Sequence, residues 1–339
     1  MHQHGGTPEK DFERLGIAPR PVLDFSVNVS PLGPPDEIRR IWPELIHEMA
    51  HYPQIEGCGV KRFYSRRFGL PEETVLPGNG SIDLIYDIPK IFNLRRVLIP
   101  QPSFHDYTRA CQATGAEIIT GLPDRLEGCD AMFVGNPNNP TGQLIPADIL
   151  LALSEQFPEI LFLIDEAFIQ FIDQPELFSL MRPEHLRKNI IIFHSLTKTY
   201  ALPGLRIGAC VSSQETIAKI AAKRAPWMVN RAAERTAETL AECGSYELRL
   251  QKLIRTERER VFFELEKHPD FKPVPGSANF LLVQWIGSDH LDDLLCRLLN
   301  QGLYVRDCRN FPTLKQNWFR IAIRLPEEND RLLKALTAC

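Results

Sequence analysis

The chain of 339 residues exceeds what one ordinary core supports, so two lobes sharing a cleft are expected. Apolar residues make up 44% and charged residues 24%, and a formal net charge of −4 leaves no electrostatic footprint for nucleic acid or an anionic membrane. Eight cysteines with no C-x-x-C pair and no clustered histidines argue against a metal site or a disulfide framework and fit reduced thiols in the cytoplasm. Met1 to Gly6 shows no charged-then-apolar leader pattern, and no apolar run approaches about 18 residues, so neither export nor a membrane span is expected.

Residues 1–35 carry Pro19, Pro21, Pro31, Pro34 and Pro35, which prevent a long helix and predict an extended arm crossing the body. Residues 36–245 form the large domain. There the apolar runs Arg96–Pro100, Ala131–Gly135, Ile160–Asp165 and Asn189–His194 alternate with the helical stretches Ile82–Phe92 and Pro146–Phe157, the pattern of a βαβ sheet covered on both faces. Ligands of such sheets bind at the strand C-termini. Residues 246–339 form a smaller α+β domain, opened by a polar helix from Tyr246 to Lys267 and followed by strand, helix, strand and strand.

The chemistry-bearing residues fall at those strand ends. Gly78-Asn79-Gly80-Ser81 precedes the helix that begins at Ile82, so backbone N–H groups at Gly80, Ser81 and Ile82 favour a phosphate. Phe104 follows a strand, where it is either core or a ring that stacks on a cofactor. Asn139 lies in the turn Asn136-Pro137-Asn138-Asn139-Pro140-Thr141-Gly142, whose prolines hold an amide where it can donate to a phenolate oxygen. Asp165 ends an apolar strand and is suited to keep a pyridine nitrogen protonated. Lys198 sits among Ser195, Thr197 and, eight residues later, Arg206, as a pyridoxal-phosphate anchor requires: an amine near neutral charge with hydroxyls and a guanidinium for the phosphate. Arg306, Arg320 and Arg324 are candidate anion holders, Arg320 and Arg324 being four apart on one strand and hence on one face. Asn28 either orients a substrate carboxylate or caps a turn.

These motifs, in this order and spacing, resemble fold-type I pyridoxal-phosphate enzymes of the class II aminotransferase kind over nearly the whole chain. The resemblance implies an α/β fold: a large cofactor-binding domain with a mostly parallel mixed sheet sandwiched by helices, and a smaller C-terminal α+β domain, with the arm packing at the active site. It implies that Lys198 carries pyridoxal 5'-phosphate, Asp165 pairs with its ring nitrogen, Asn139 contacts O3′, Phe104 stacks on the ring, and Ser81, Ser195, Thr197 and Arg206 bind the phosphate. Tyr52, in His51-Tyr52-Pro53, corresponds to a tyrosine that reaches the neighbouring subunit's cofactor, which implies a homodimer. Arg320 corresponds to the arginine that holds the substrate's α-carboxylate, while Arg306 and His4 would serve a substrate phosphate.

Two branches of that family compete. His4-Gly5-Gly6, the segment Leu23-Asp24-Phe25-Ser26-Val27-Asn28-Val29-Ser30-Pro31-Leu32-Gly33 and the run Val305-Arg306-Asp307-Cys308-Arg309-Asn310-Phe311 resemble the decarboxylases of L-threonine O-3-phosphate in cobalamin biosynthesis. Thr7 and Ser30 depart from that pattern, which has asparagine at both places. Phe168 stands where aminotransferases of the histidinol-phosphate type carry a tyrosine, which removes one hydrogen bond to the cofactor phenolate. The resemblance therefore implies decarboxylation of O-phospho-L-threonine or O-phospho-L-serine; transamination with 2-oxoglutarate is the alternative. A catalytically idle cofactor-binding regulator is disfavoured, because Lys198, Asp165 and Arg206 are all present.

Overall fold

Apolar runs separated by glycine and proline punctuation become short strands. The computed structural model describes residues 5–121 and 126–337. The arm contributes β1 (Leu23–Asp24) and the large lobe β2 (Val75–Asn79), β3 (Arg96–Leu98), β4 (Glu117–Ile119), β5 (Ala131–Gly135), β6 (Leu161–Asp165), β7 (Ile190–Ser195) and β8 (Ile207–Val211). The C-terminal lobe adds β9 (Phe271–Pro273), β10 (Phe280–Trp285), β11 (Leu303–Tyr304), β12 (Arg306–Asp307) and β13 (Trp318–Ala322). No helix among the described residues is long and apolar enough to cross a membrane.

The large sheet runs β2-β8-β7-β6-β5-β3-β4. It is mixed but mostly parallel, with β8 antiparallel to both neighbours. Side chains alternate across it: Met132, Val134, Phe162, Ile164, Ile190 and Ile192 join one core, while Ala131, Phe133, Leu161, Leu163, Ile191 and Phe193 join the other. Both faces are dry, so these strands read as unbroken apolar runs. The sequence predicts neither β2 nor β8, because Pro77, Gly78 and Gly208 interrupt their patterns; β2 is an edge strand, where proline is tolerated. β6 ends at Asp165 and β7 at Ser195, which brings Asp165 and Lys198 to one rim of the sheet.

The second lobe is the antiparallel sheet β12-β13-β10-β9. The helix Gly244–Glu266 is continuous through the expected boundary at 245/246, and its Leu250, Ile254, Val261 and Leu265 share one core with Phe280, Phe319 and Ile321. The lobes are thus joined by a helix rather than by a linker. The arm is less extended than its prolines predict: Pro8–Leu15 forms a helix, with Pro8 in its first turn where a missing N–H is harmless, and it buries Phe12 against Leu299 and Tyr304. Beyond it β1 pairs in parallel with β11.

Candidate active site

The rim between the lobes opens into a cleft of about 390 Å³, in the range of small-molecule sites. Gly5, Ser26, Val27 and Asn28 from the arm line it, together with Ser81, Ile82, Phe104, Asn139, Asp165, Ser195, Thr197, Lys198 and Arg206 from the large lobe and Arg320 from the small one. Tyr86, Asp106, Tyr107 and Phe168 complete much of the wall.

One end is an anion cradle. The helix Ser81–Ile91 directs its N-terminus into the cleft, and Ser195 and Thr197 hydroxyls lie 2.8 Å apart. Gly80 has a φ of +76° and stands against the Arg206 guanidinium, where a Cβ would collide with it. A Cβ on Gly208 would lie 2.6 Å from the Ser81 nitrogen. Both glycines therefore keep backbone and guanidinium close to where a phosphate would lie. Arg206 itself has a left-handed backbone, φ 55°, a strained state for a side chain of its size and one often found at binding sites.

At the floor, Asp165 is buried and hydrogen-bonded: Tyr107 donates to Oδ2 at 2.8 Å and the Ala167 N–H to Oδ1 at 3.0 Å. Burial raises its pKa to about 6, opposed by those two donors and by Lys198. Lys198 projects from the one-turn helix Leu196–Thr199 that ends β7. Burial first, then the Arg206 and Arg320 charges, lower its pKa to about 8, so the amine gives up its proton far more readily than an ordinary lysine and a share of it is free to attack a carbonyl near neutrality. Asn139 is held by its turn: Asn136 donates to the Ile145 and Phe178 carbonyls, and Asn138 to the Pro102 carbonyl and the Thr141 hydroxyl. The anion cradle, an amine that parts easily with its proton and a buried carboxylate suited to a cationic partner together fit pyridoxal phosphate.

Across the cleft, Arg320 is buried at β13, its planar group over the Phe280 ring at 5.1 Å. It donates to the Asn139 amide oxygen and to the Ser26 carbonyl at 3.0 Å. Asn28, its amide oxygen turned toward the guanidinium, accepts at 3.1 and 3.3 Å. No carboxylate among the described residues pairs with it, and burial lowers its pKa to about 10. Such a guanidinium is a receptor for an anion.

Other expected residues lie elsewhere. Strand β13 stops at Ala322, so the four-residue spacing does not align Arg324 with Arg320; Arg324 bonds Glu328 at 3.0 Å and the Asp24 carbonyl, and does not line the cleft. Arg306 is the register partner of Arg320 and donates to Asn310 at 3.1 Å, but it too is absent from the lining. Tyr52 is exposed outside the cleft, its ring 5.5 Å from that of Trp227. Ser30, the departure from the decarboxylase pattern, bonds the Tyr246 hydroxyl at 2.6 Å and not the cleft. His4 lies outside the described residues. The sequence reading missed Tyr107, Tyr86 and Asp106; Tyr107 follows Phe104 by three residues on the helix His105–Gln112, a spacing that marks a shared face.

A family model described as aminotransferase class I and II matches residues 20–336. Threonine-phosphate decarboxylase of Salmonella typhimurium is 32% identical over 98% of this chain and 95% of its own length. Histidinol-phosphate aminotransferase 2 of Ralstonia nicotianae is 30% identical, covering 98% of this chain and 92% of its own. The crystal structure of L-threonine-O-3-phosphate decarboxylase from Porphyromonas gingivalis superposes with a TM-score of 0.84 at 25% identity, over 93% of this chain and 98% of that one.

Proposed function

The chain belongs to the class I and II aminotransferase family and uses pyridoxal phosphate; from that premise we propose that it removes the α-carboxylate of an amino acid bearing a phosphate ester. In this reading the substrate is O-phospho-L-threonine or O-phospho-L-serine, the product being an amino-alcohol phosphate for the linker of a corrinoid. The observation that carries the reading is Arg320, a buried guanidinium with no carboxylate partner among the described residues, facing the same cleft as Lys198.

Bound pyridoxal phosphate supplies an aldehyde for the substrate amine and a ring that accepts the electron pair of a broken Cα bond. Ser81, Ser195, Thr197 and Arg206 hold its phosphate, and the buried carboxylate of Asp165 holds the proton on its ring nitrogen. Lys198 Nζ would anchor it, and as a free amine would return a proton to the substrate Cα from which the carboxylate leaves as CO₂. Arg320, kept in place by Asn28, Ser26 and Asn139, orients that carboxylate. Phe168 of the cleft wall packs edge-on against Phe280, with ring centres 5.1 Å apart, and Phe280 lies under the Arg320 guanidinium. Transamination with 2-oxoglutarate would offer Arg320 a carboxylate as well, and what favours the decarboxylase is the likeness of the Leu23–Gly33 and Val305–Phe311 segments to that branch. Exposed Tyr52, with Ile46, Met49 and Ile55, is read as the face of a homodimer in which Tyr52 serves the neighbouring site.

The test incubates holoenzyme with each phosphoamino acid and with histidinol phosphate, with and without 2-oxoglutarate, and measures released CO₂ and glutamate. CO₂ with one amino-alcohol phosphate per turnover is expected, lost in Lys198→Ala. Glutamate formed from 2-oxoglutarate and no CO₂ would overturn the reading in favour of the aminotransferase.

A further inference from the structure

Asp165 is oriented from the side by a residue that the proposed chemistry has not used. We propose that Tyr107 is a positioning residue for this site, its hydroxyl fixing the Asp165 carboxylate in the orientation that meets the cofactor's ring nitrogen. The inference rests on the reading of Asp165 given above.

Three observations converge on the hydroxyl. Tyr107 is buried and donates to Asp165 Oδ2 at 2.8 Å, while Ala167 N–H holds Oδ1, so each oxygen has one fixed donor and the carboxylate cannot rotate without losing both. The ring is clamped: it stacks on Phe133 at 4.1 Å and 14°, and Phe133 in turn lies 5.4 Å from Phe193. Gly135 is the register partner of Asp165, and a Cβ there would stand 3.2 Å from the Tyr107 oxygen, closer than most side-chain contacts. The glycine thus leaves the space that the hydroxyl occupies. Burial holds the phenol far above its ordinary pKa, so the hydroxyl remains a donor throughout the working range.

The donation also keeps the carboxylate ionised against the burial that favours its neutral form. Lys198, from the helix after β7, acts in the same direction; Asp165 in turn raises the pKa of Glu166, next in the chain, and Asp106 acts on Tyr107.

The probe is pyridoxal phosphate itself, titrated into the full chain stripped of cofactor, in wild type, Tyr107→Phe, Asp165→Asn and the double variant. Tyr107→Phe is expected to weaken binding by about ten-fold, the loss of one charge-assisted hydrogen bond. The double variant is expected to bind no more weakly than Asp165→Asn alone. Wild-type affinity in Tyr107→Phe, or losses that multiply in the double variant, overturns the role of Tyr107 and leaves Asp165 standing. Wild-type affinity in Asp165→Asn overturns the reading of Asp165 and the proposal with it.

A second readout separates positioning from packing. In urea unfolding of the stripped chain, the destabilisation by Tyr107→Phe should be full at pH 8 and shrink as the pH falls through about 6, where Asp165 takes up its proton and no longer needs the donor. Glu166 titrates nearby, so the Asp165→Asn background, in which this pH dependence should vanish, is the control. A destabilisation that does not change with pH means a structural role and overturns the proposal.

Discussion

A buried amine beside two guanidiniums binds its proton weakly, and Lys198 is held at about 8 against an ordinary 10.5 by burial, Arg206 and Arg320 in that order. The stability consequence has a definite sign. Below pH 8 the lysine is protonated in both folded and unfolded chains, and the buried ammonium carries its full penalty. Between pH 8 and 10.5 only the unfolded chain keeps the proton, so stability rises with pH. Lys198→Met should therefore make the cofactor-free chain more stable by about 3 kcal/mol at pH 7, an advantage that fades toward pH 10.5, as urea unfolding at the two pH values would show. Lys198 was legible in sequence as a candidate anchor because its hydroxyl neighbours and Arg206 are local. The Arg320 contribution was not, since Arg320 lies on β13 and Lys198 follows β7, strands of different sheets, and the two share the cleft only in the folded chain.

At the scale of elements, the phosphate cradle is a joint between β2, β8 and the helix Ser81–Ile91, and its tolerance for side chains is zero at two glycines. Gly80→Ala places a methyl into the Arg206 guanidinium at a φ that alanine resists, so Arg206 must leave its place. Pyridoxal phosphate should bind about ten- to a hundred-fold more weakly to this variant, while pyridoxal, which lacks the phosphate, should bind as it does to wild type. Equal losses for both ligands would show a collapsed cleft instead of a damaged cradle. The motif Gly78-Asn79-Gly80-Ser81 was visible in the chain, yet its strand was not, because Pro77 and Gly78 obscure an edge strand whose partner β8 is itself interrupted by Gly208. Conversely β5, β6 and β7 were readable to within a residue or two, since burial on both faces leaves no polar alternation to mislead. Arg324 misled for a related reason: period two holds only while the strand lasts, and β13 ends two residues before it.

Across the whole molecule, the cleft has three walls from three parts of the chain, and the arm belongs mechanically to the small lobe. Leu23 and Phe25 N–H groups bond the Gly302 and Tyr304 carbonyls, the Ala322 N–H bonds the Phe25 carbonyl, and Tyr304 donates to Asp11 at 2.7 Å. Asp292 accepts from both Arg14 and Arg309, tying the arm helix to the strand end that follows β12. By contrast, among the described residues a single backbone bond from Ser30 N–H to the Lys198 carbonyl, 2.9 Å, joins the arm to the helix Leu196–Thr199. The arm's prolines announced a segment outside the core, but its attachment depends on pairs such as Tyr304–Asp11 that no local pattern reveals. This division of contacts separates two functions. Arg320 is braced by Ser26 and Asn28 of the arm, whereas Ser81, Ser195, Thr197, Lys198 and Arg206 all come from the large lobe. Loosening the arm with Tyr304→Phe and Asp292→Ala together should therefore raise KM for the phosphoamino acid several-fold, since surface ion pairs contribute roughly 0–1 kcal/mol each and the Tyr304 bond about 1 kcal/mol. The dissociation constant of pyridoxal phosphate should stay within about two-fold of wild type, because no ligand of the cradle moves. A parallel fall in cofactor affinity would mean that the arm supports the large lobe as well, and that carboxylate and cofactor recognition are not separable in this chain.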